Sequence, residues 1–244
     1  MLLLAAGCSL SPLSHRIHPG EEPFVVFVGN GTDGNVDLFA ASAGGGDAVQ
    51  FTFTPLIEAH PRLDPSGSVV AFLRMRDTLA ATPRFLVMMN LISGAEVQTA
   101  LPPEAGRANA VGWAGDGSRV YVGTDRGVWQ VTAPPATVQV TAVTAANRAG
   151  ADSALAVWVG SPPVARAVPC PHAGICVVGS RNDTQVVSAS GSDVMRWGRD
   201  SMAWFDSSSV VVRYLGPGHE RHITWTSLPS HPRDGTMADT GTVR

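Results

Sequence analysis

Lysine is absent: all seventeen basic residues are arginine. A Schiff-base lysine, a phosphate-loop lysine and a kinase-type lysine are therefore excluded. Charge of both signs is sparse, at 15% of residues with a net of −3, and the arginines are spread out, with no clusters. Such a chain lacks the basic footprint that nucleic acid requires. No run of residues approaches the roughly 20 apolar positions of a membrane-spanning helix. No Gly-x-Ser-x-Gly segment occurs, so a nucleophile elbow is not signalled. Cysteine is scarce, at three residues.

What is present is apolar material and turn residues. Hydrophobic residues make up 44% of the 244, and the 26 glycines and 18 prolines lie scattered rather than in runs. That combination favours many short strands joined by tight turns, and the length suits one large all-β domain. Short β-branched or apolar runs recur at Phe24–Val28, Val69–Leu73, Arg119–Val122, Ile175–Val178 and Met202–Phe205, each closed by a turn signal. The nearest candidate for a helix is Ala145–Ala156.

The runs belong to a repeated phrase. Leu63-Asp-Pro-Ser-Gly67 precedes SVVAFLR, Trp113-Ala-Gly-Asp-Gly117 precedes SRVYVGT, and Trp197-Gly-Arg-Asp-Ser201 precedes MAWFD. Cys170-Pro-His-Ala-Gly174 and His231-Pro-Arg-Asp-Gly235 read as weaker copies. Gly67 and Gly117 are 50 positions apart, and a period in the forties with several strands per repeat predicts propeller blades. The expected fold is an all-β propeller of about five antiparallel blades, six at the upper bound, with one incomplete. The first blade lacks an initial strand, which residues 227–244 are placed to supply. Asp64, Asp116, Asp200 and Asp234 are read as solvated acids at the turns, and the tryptophans as wedges between blades.

These phrases resemble the Trp-Ser-Pro-Asp-Gly repeat of TolB-like β-propellers, and Ala71-Phe-Leu-Arg-Met-Arg-Asp77 resembles the turn that follows it. FVVFVGNGTDGNVDLFAAS with GGGDAVQFTFTP resembles a first repeat of that family. The likeness covers residues 24–133 well, 166–226 loosely and 134–165 poorly. It implies a non-catalytic envelope module that binds a protein or glycan partner on a propeller face, with no cofactor. TolB's own partners are not carried over, because its N-terminal domain is not expected within these residues.

Leu4-Ala-Ala-Gly-Cys8 resembles a bacterial lipobox, although only seven residues precede Cys8 and none is basic. The likeness implies residues 1–8 as a signal remnant, lipidation at Cys8, residues 9–23 as a flexible tether and residues 24–244 as one propeller. It further implies export and, in a diderm cell, an outer-membrane anchor. The competing reading makes Leu2–Leu4 a strand and Cys8 a buried thiol. Cys170 and Cys176 flank a turn-forming Pro-His-Ala-Gly-Ile and are expected to form a disulfide. A zinc site using His172 is the alternative, short of a recognisable fourth ligand.

Other motifs are expected to be turns. Asp33-Gly-Asn-Val-Asp37 has a calcium-loop look but lacks the loop's sixth-position Gly and twelfth-position Glu. His219-Glu-Arg-His222 has one residue too few between histidines for a helical zinc pair. Thr124-Asp-Arg-Gly-Val-Trp129 resembles the aspartate-box turn of sialidases. An enzymatic rival, a small calcium-dependent hydrolase or lactonase, needs inward acids and amides from several blades, for which Glu58, Asp152, Asn182 and Asp206 are the contributors considered.

Overall fold

A computed structural model of the chain describes residues 11–13, 16–76 and 84–155, the backbone of six strands between 164 and 214, and residues 220–237. In the last stretch the side chains are described from Ile223 onward, except those of His231, Arg233 and Met237. Among the described residues the strands form five blades. Blade 2 is Ile57–Leu63, Val69–Met75, Arg84–Asn90 and Glu96–Ala100 in sequential antiparallel order. Blade 3 repeats this with Ala108–Trp113, Arg119–Thr124, Gly127–Thr132 and Val140–Ala142.

Blade 4 has three described strands, Val164–Pro169, Ile175–Gly179 and Thr184–Ser188. Blade 5 comprises Val194–Gly198, Ser201–Asp206, Ser209–Tyr214 and Glu220–Ile223. It abuts blade 1 through a single parallel bridge, Arg196 to Thr236.

Blade 1 closes the ring. Its first strand is Ser230–Met237, from the C-terminal end, followed by Phe24–Asn30, Val36–Ser42 and the two-residue Val49–Gln50. Pairing Phe24–Asn30 between a distant strand and its own hairpin partner ties both ends of the chain into one sheet. A second tie pairs Trp225–Thr226 with Gly46–Asp47 in parallel, and Trp225 Nε1 donates to the Ser42 carbonyl at 2.8 Å.

The alternation of strand side chains explains how blades stack. Phe24, Val26 and Val28 face a cluster shared with blade 2 that includes Phe72, Val87 and Met89. Val25 and Phe27 point the other way, to a cluster with Phe39, Ile223 and Trp225. Both faces of the strand are buried, so it reads as a continuous apolar run rather than an alternating one. Trp113 fills the seam between blades 2 and 3 as expected, with Nε1 donating to the Arg62 carbonyl at 2.8 Å.

Two departures from the sequence reading stand out, together with the helix for which Ala145–Ala156 is the nearest candidate. Leu13 and Ile17 are buried in the cluster between blades 1 and 2, and Ser11 Oγ donates to the Leu91 carbonyl, so residues 11–13 and 16–23 are docked rather than a free tether. The poorly matching 134–165 region carries a 3₁₀ turn, Ala145–Asn147, and a short helix, Arg148–Leu155, packed on blade 3. Ala151 seats against Tyr121 and Val128, and a Cβ at Gly112 would run into the Ala154 carbonyl. The second departure concerns Asp234, which lies not at an exposed turn but inside the closing strand.

Candidate functional site

The first strands of blades 5, 1, 2 and 3 pack side by side in that order and, as the innermost strands of a propeller, border its channel. Those of blades 1, 2 and 3 share an irregularity. In the closing strand Phe27 pairs with Gly235 but Val28 with Arg233, leaving Asp234 bulged. In blade 2 Ala59 pairs with Leu73 but Arg62 with Ala71, so His60 and Pro61 oppose one residue. In blade 3 Gly123 pairs with Ala110 but Thr124 with Ala108, leaving Asn109 unpaired in the ladder. A bulge turns its extra side chain out of the regular alternation. His60, Asn109 and Asp234 all line one cavity of about 620 Å³ at the channel mouth.

Two of the three adopt left-handed backbone, with φ of 54° at His60 and 36° at Asp234. Non-glycine residues held there cost roughly 1–3 kcal/mol each and gather at functional sites. The two strained residues meet: His60 Nδ1 lies 2.7 Å from Asp234 Oδ2, and Arg62 Nη1 lies 2.9 Å from Asp234 Oδ1. Burial pushes the Asp234 carboxyl up, but Arg62 and His60 together overcome it and hold the group well below the usual carboxylate range. An imidazole bonded through Nδ1 to a fixed carboxylate presents Nε2 for hydrogen bonding or proton transfer.

The rest of the wall mixes an apolar floor with arginines. Val28, Ile57 and Met75 contribute the floor; Arg84 is buried in the wall, and Arg107 stands exposed on it. Asp125 Oδ1 accepts the Arg107 backbone N–H at 2.7 Å and so anchors that arginine's position.

Glu58, also in the lining, leads into a buried polar network. Glu58 Oε1 accepts from Arg74 Nε at 3.0 Å and Nη2 at 2.9 Å, and Arg74 also forks onto Glu96 at 2.7 and 3.0 Å. Burial pushes the Glu58 carboxyl up despite the neighbouring guanidinium. Asp37, fully buried, accepts from Thr52 Oγ1 at 3.3 Å and Gln50 Nε2 at 3.1 Å, and burial raises it too.

The sequence-predicted residues distribute as follows. Asp33 does make the expected turn, accepting from the Asn35 N–H at 3.0 Å, but Asp37 leaves that turn for the core. Asp64 and Asp116 are turn acids as read: Asp64 Oδ1 accepts from Ser68 and Val69 N–H at 2.8 and 2.7 Å, and Asp116 Oδ1 from Ser118 N–H at 3.0 Å. Gly67 and Gly117 supply the positive φ those turns need, 71° and 69°.

Glu58 and Asp152 are not brought together, since Asp152 is exposed on the helix and pairs with Arg148 at 2.6 Å. Asn182 lies outside the described residues, and Asp206 is described only as backbone at the end of Ser201–Asp206. Cys8, Cys170 and Asp200 also lie outside the described residues, while Cys176 sits in a strand opposite Val168. Glu220–Ile223 is a strand, and His219 lies outside the described residues. The channel-mouth group of His60, Asn109 and Asp234 was missed, because no motif spacing marks a bulge. The Pro after His60 was the one available hint.

No family model matches the sequence, and no curated protein matches it. Solved structures do. TolB from Acinetobacter baumannii is similar at 10% identity and a TM-score of 0.57, over 91% of this chain and 67% of that one. A nidogen/laminin complex is similar at 9% identity and a TM-score of 0.50, over 89% of this chain and 99% of that one. A looser likeness, with a TM-score of 0.43 at 9% identity over 91% of this chain and 99% of the other, is to a putative 6-phosphogluconolactonase from Bacteroides fragilis. At these identities the likeness speaks for the fold. The chain is an all-β propeller. Its fold is similar to that of TolB.

Proposed function

We propose that this propeller is a non-catalytic binding scaffold of the bacterial envelope, anchored by lipid at Cys8, and that it receives a protein or glycan partner at the channel mouth. The observation that carries the reading is the inward turn of Asp234, His60 and Asn109 into one cavity by bulges in successive blades. A rigid ring that holds polar groups from several strands around a concavity suits recognition. The envelope setting and the anchor rest on the TolB-like fold and on the lipobox resemblance. Among the described residues no helix is long and apolar enough to cross a membrane.

The test pairs binding with turnover. Asn109→Trp, which fills the mouth, is expected to abolish partner binding while leaving the melting temperature unchanged. The purified protein is expected to leave lactone, glycoside and phosphoester panels unhydrolysed. Partner binding that survives Asn109→Trp contradicts the assignment to the mouth.

The enzymatic alternative, a small hydrolase or lactonase, draws support from one feature, the oriented His60–Asp234 pair. Its calcium-dependent form finds no support in a cluster: among the described residues no three His, Cys, Asp or Glu gather in a metal-holding arrangement. Turnover by wild type that is lost in a folded His60→Gln variant would establish the alternative.

A further inference from the structure

We infer that blade 2 meets the membrane through its turn at residues 91–94, with Ile92 in the lipid headgroup layer, and that the docked N-terminal segment makes the channel mouth open away from the bilayer. The inference rests on the lipid anchor proposed at Cys8 and adds which surface that anchor brings to the membrane.

From Cys8 to Ser11 the chain reaches at most about 11 Å. Ser11 Oγ donates to the Leu91 carbonyl at 3.1 Å and accepts from the Leu13 N–H at 3.3 Å. Leu13 and Ile17 are buried in the seam between blades 1 and 2, in the cluster that also holds Leu91. A lipid on Cys8 is therefore held close to the end of the third strand of blade 2. A segment docked by buried side chains gives the ring little freedom to swing about its anchor.

The same turn carries an apolar contact. Ile92 follows the residue whose carbonyl holds Ser11, and it is 54% exposed. Its backbone is fixed, because the Ile92 and Ser93 N–H groups donate to Asn90 Oδ1 at 3.0 and 2.8 Å. The Leu91 N–H donates to the Ser68 carbonyl at 2.9 Å, which ties this turn to the neighbouring turn of Asp64. One isoleucine cannot hold a protein on a bilayer, but beside a lipid anchor it supplies a second, orienting contact. Asp64 nearby and the exposed ion pair of Arg16 with Asp47 fit zwitterionic rather than anionic headgroups. Phe53 is more exposed, but it precedes the strand that begins at Ile57 in the cavity lining and so belongs to the mouth side.

The mouth lies at the other end of the strand that reaches this turn. Arg84 opens that strand and lines the cavity, whereas Asn90 closes it at the turn. Its seven residues, at about 3.3 Å each, set the two ends roughly 20 Å apart. A partner of the mouth then arrives from the side away from the membrane.

The test expresses the full chain in its native host with a fluorescent amino acid at position 92 or at position 107, where Arg107 is exposed on the cavity wall. The lipidated protein is reconstituted into phosphatidylcholine vesicles that carry a nitroxide quencher at the headgroup. Emission from position 92 is expected to be quenched and emission from position 107 to be unchanged. A Gly-Ser insert of about 20 residues between Cys8 and Ser11, reaching roughly 25 Å, should relieve the quenching at 92 without altering the melting temperature.

Quenching at 107, alone or together with 92, puts the mouth against the bilayer and overturns the inference while leaving the anchor intact. Quenching at neither position, or quenching at 92 that survives the insert, overturns it as well. The anchor is read separately by fractionation, where wild type is expected with the membranes and Cys8→Ser is expected to be released. Wild type that leaves the membranes, or Cys8→Ser that stays with them, removes the anchor itself and the inference with it.

Discussion

His60 Nδ1 lies 2.7 Å from Asp234 Oδ2, and this contact joins the first strand of blade 2 to the strand that closes the ring. Both residues are bulged, both have positive φ, and each fixes the other. The pair therefore couples ring closure to the shape of the channel mouth.

Replacing Asp234 by Asn should weaken that coupling by about 1–3 kcal/mol at neutral pH, the scale of a hydrogen bond to a charged group. Because the Asp234 carboxyl is held below its ordinary value, its stabilisation is complete above the unfolded value of about 3.9. It is lost as pH falls further, through the folded value. Urea midpoints of wild type and Asp234→Asn should thus differ at pH 7 and converge below about pH 4. A gap that stays constant down to pH 2 would contradict the assignment.

The Glu58–Arg74 pair has the opposite sign. Burial raises Glu58, so its contribution is fully present below the unfolded value of about 4.3 and is lost as pH rises through the raised one. Arg74→Met strands a buried carboxylate at neutral pH, and breaking such a pair costs about 3–5 kcal/mol. The loss should shrink as pH is lowered towards 4, where Glu58 takes up its proton. Thermal melts at pH 7 and pH 4.5 give the comparison, and an equal loss at both would show that Glu58 is not the group responsible.

Trp113 and Asp64 test the blade phrase itself. Trp113→Ala removes a half-buried ring and the bond to the Arg62 carbonyl, a loss of about 3 kcal/mol. Trp113→Phe keeps most of the packing and should cost about 1 kcal/mol. Asp64→Ala removes the acceptor for two backbone N–H groups and should destabilise by about 1–2 kcal/mol, more than Asp116→Ala does. Chemical denaturation orders the four, and a harmless Trp113→Ala would refute its role as a wedge.

Cys170 and Cys176 are predicted to be disulfide-linked in protein from an oxidising compartment. Titration under denaturing, non-reducing conditions should find neither thiol free until a reductant is added. Two titratable thiols there would leave the strand pairing of blade 4 to hold this region alone.

The propeller was legible because its repeated phrases are local. Gly67 and Gly117 need left-handed backbone, and Trp113 must fill a seam, so each leaves a residue-type signature at a fixed offset. The closing strand was legible as a deficit, since blade 1 had one strand too few. The site was not legible. Whether Asp234 sits at a turn or in a bulge depends on the register it keeps with Phe27 and Val28, and register between distant segments leaves no pattern in either. Asp37 misled for the same reason: it follows a turn sequence, yet its burial is set by Gln50 and Thr52 folding over it. Leu13 and Ile17 lie in a Ser- and Pro-rich stretch that reads as a tether, and only their contact with the seam between blades 1 and 2 reveals the docking.

The most direct test of the channel mouth as the binding site is photo-crosslinking in the native host. A photoreactive residue is placed either at Arg107, exposed on the cavity wall, or at Ile92, 54% exposed in a hairpin turn of blade 2 and outside the cavity lining. Adducts are expected from position 107 and not from position 92, and they should disappear when Asn109→Trp is added. Adducts from position 92 alone, or adducts from 107 that are indifferent to Asn109→Trp, would contradict a binding site at the channel mouth.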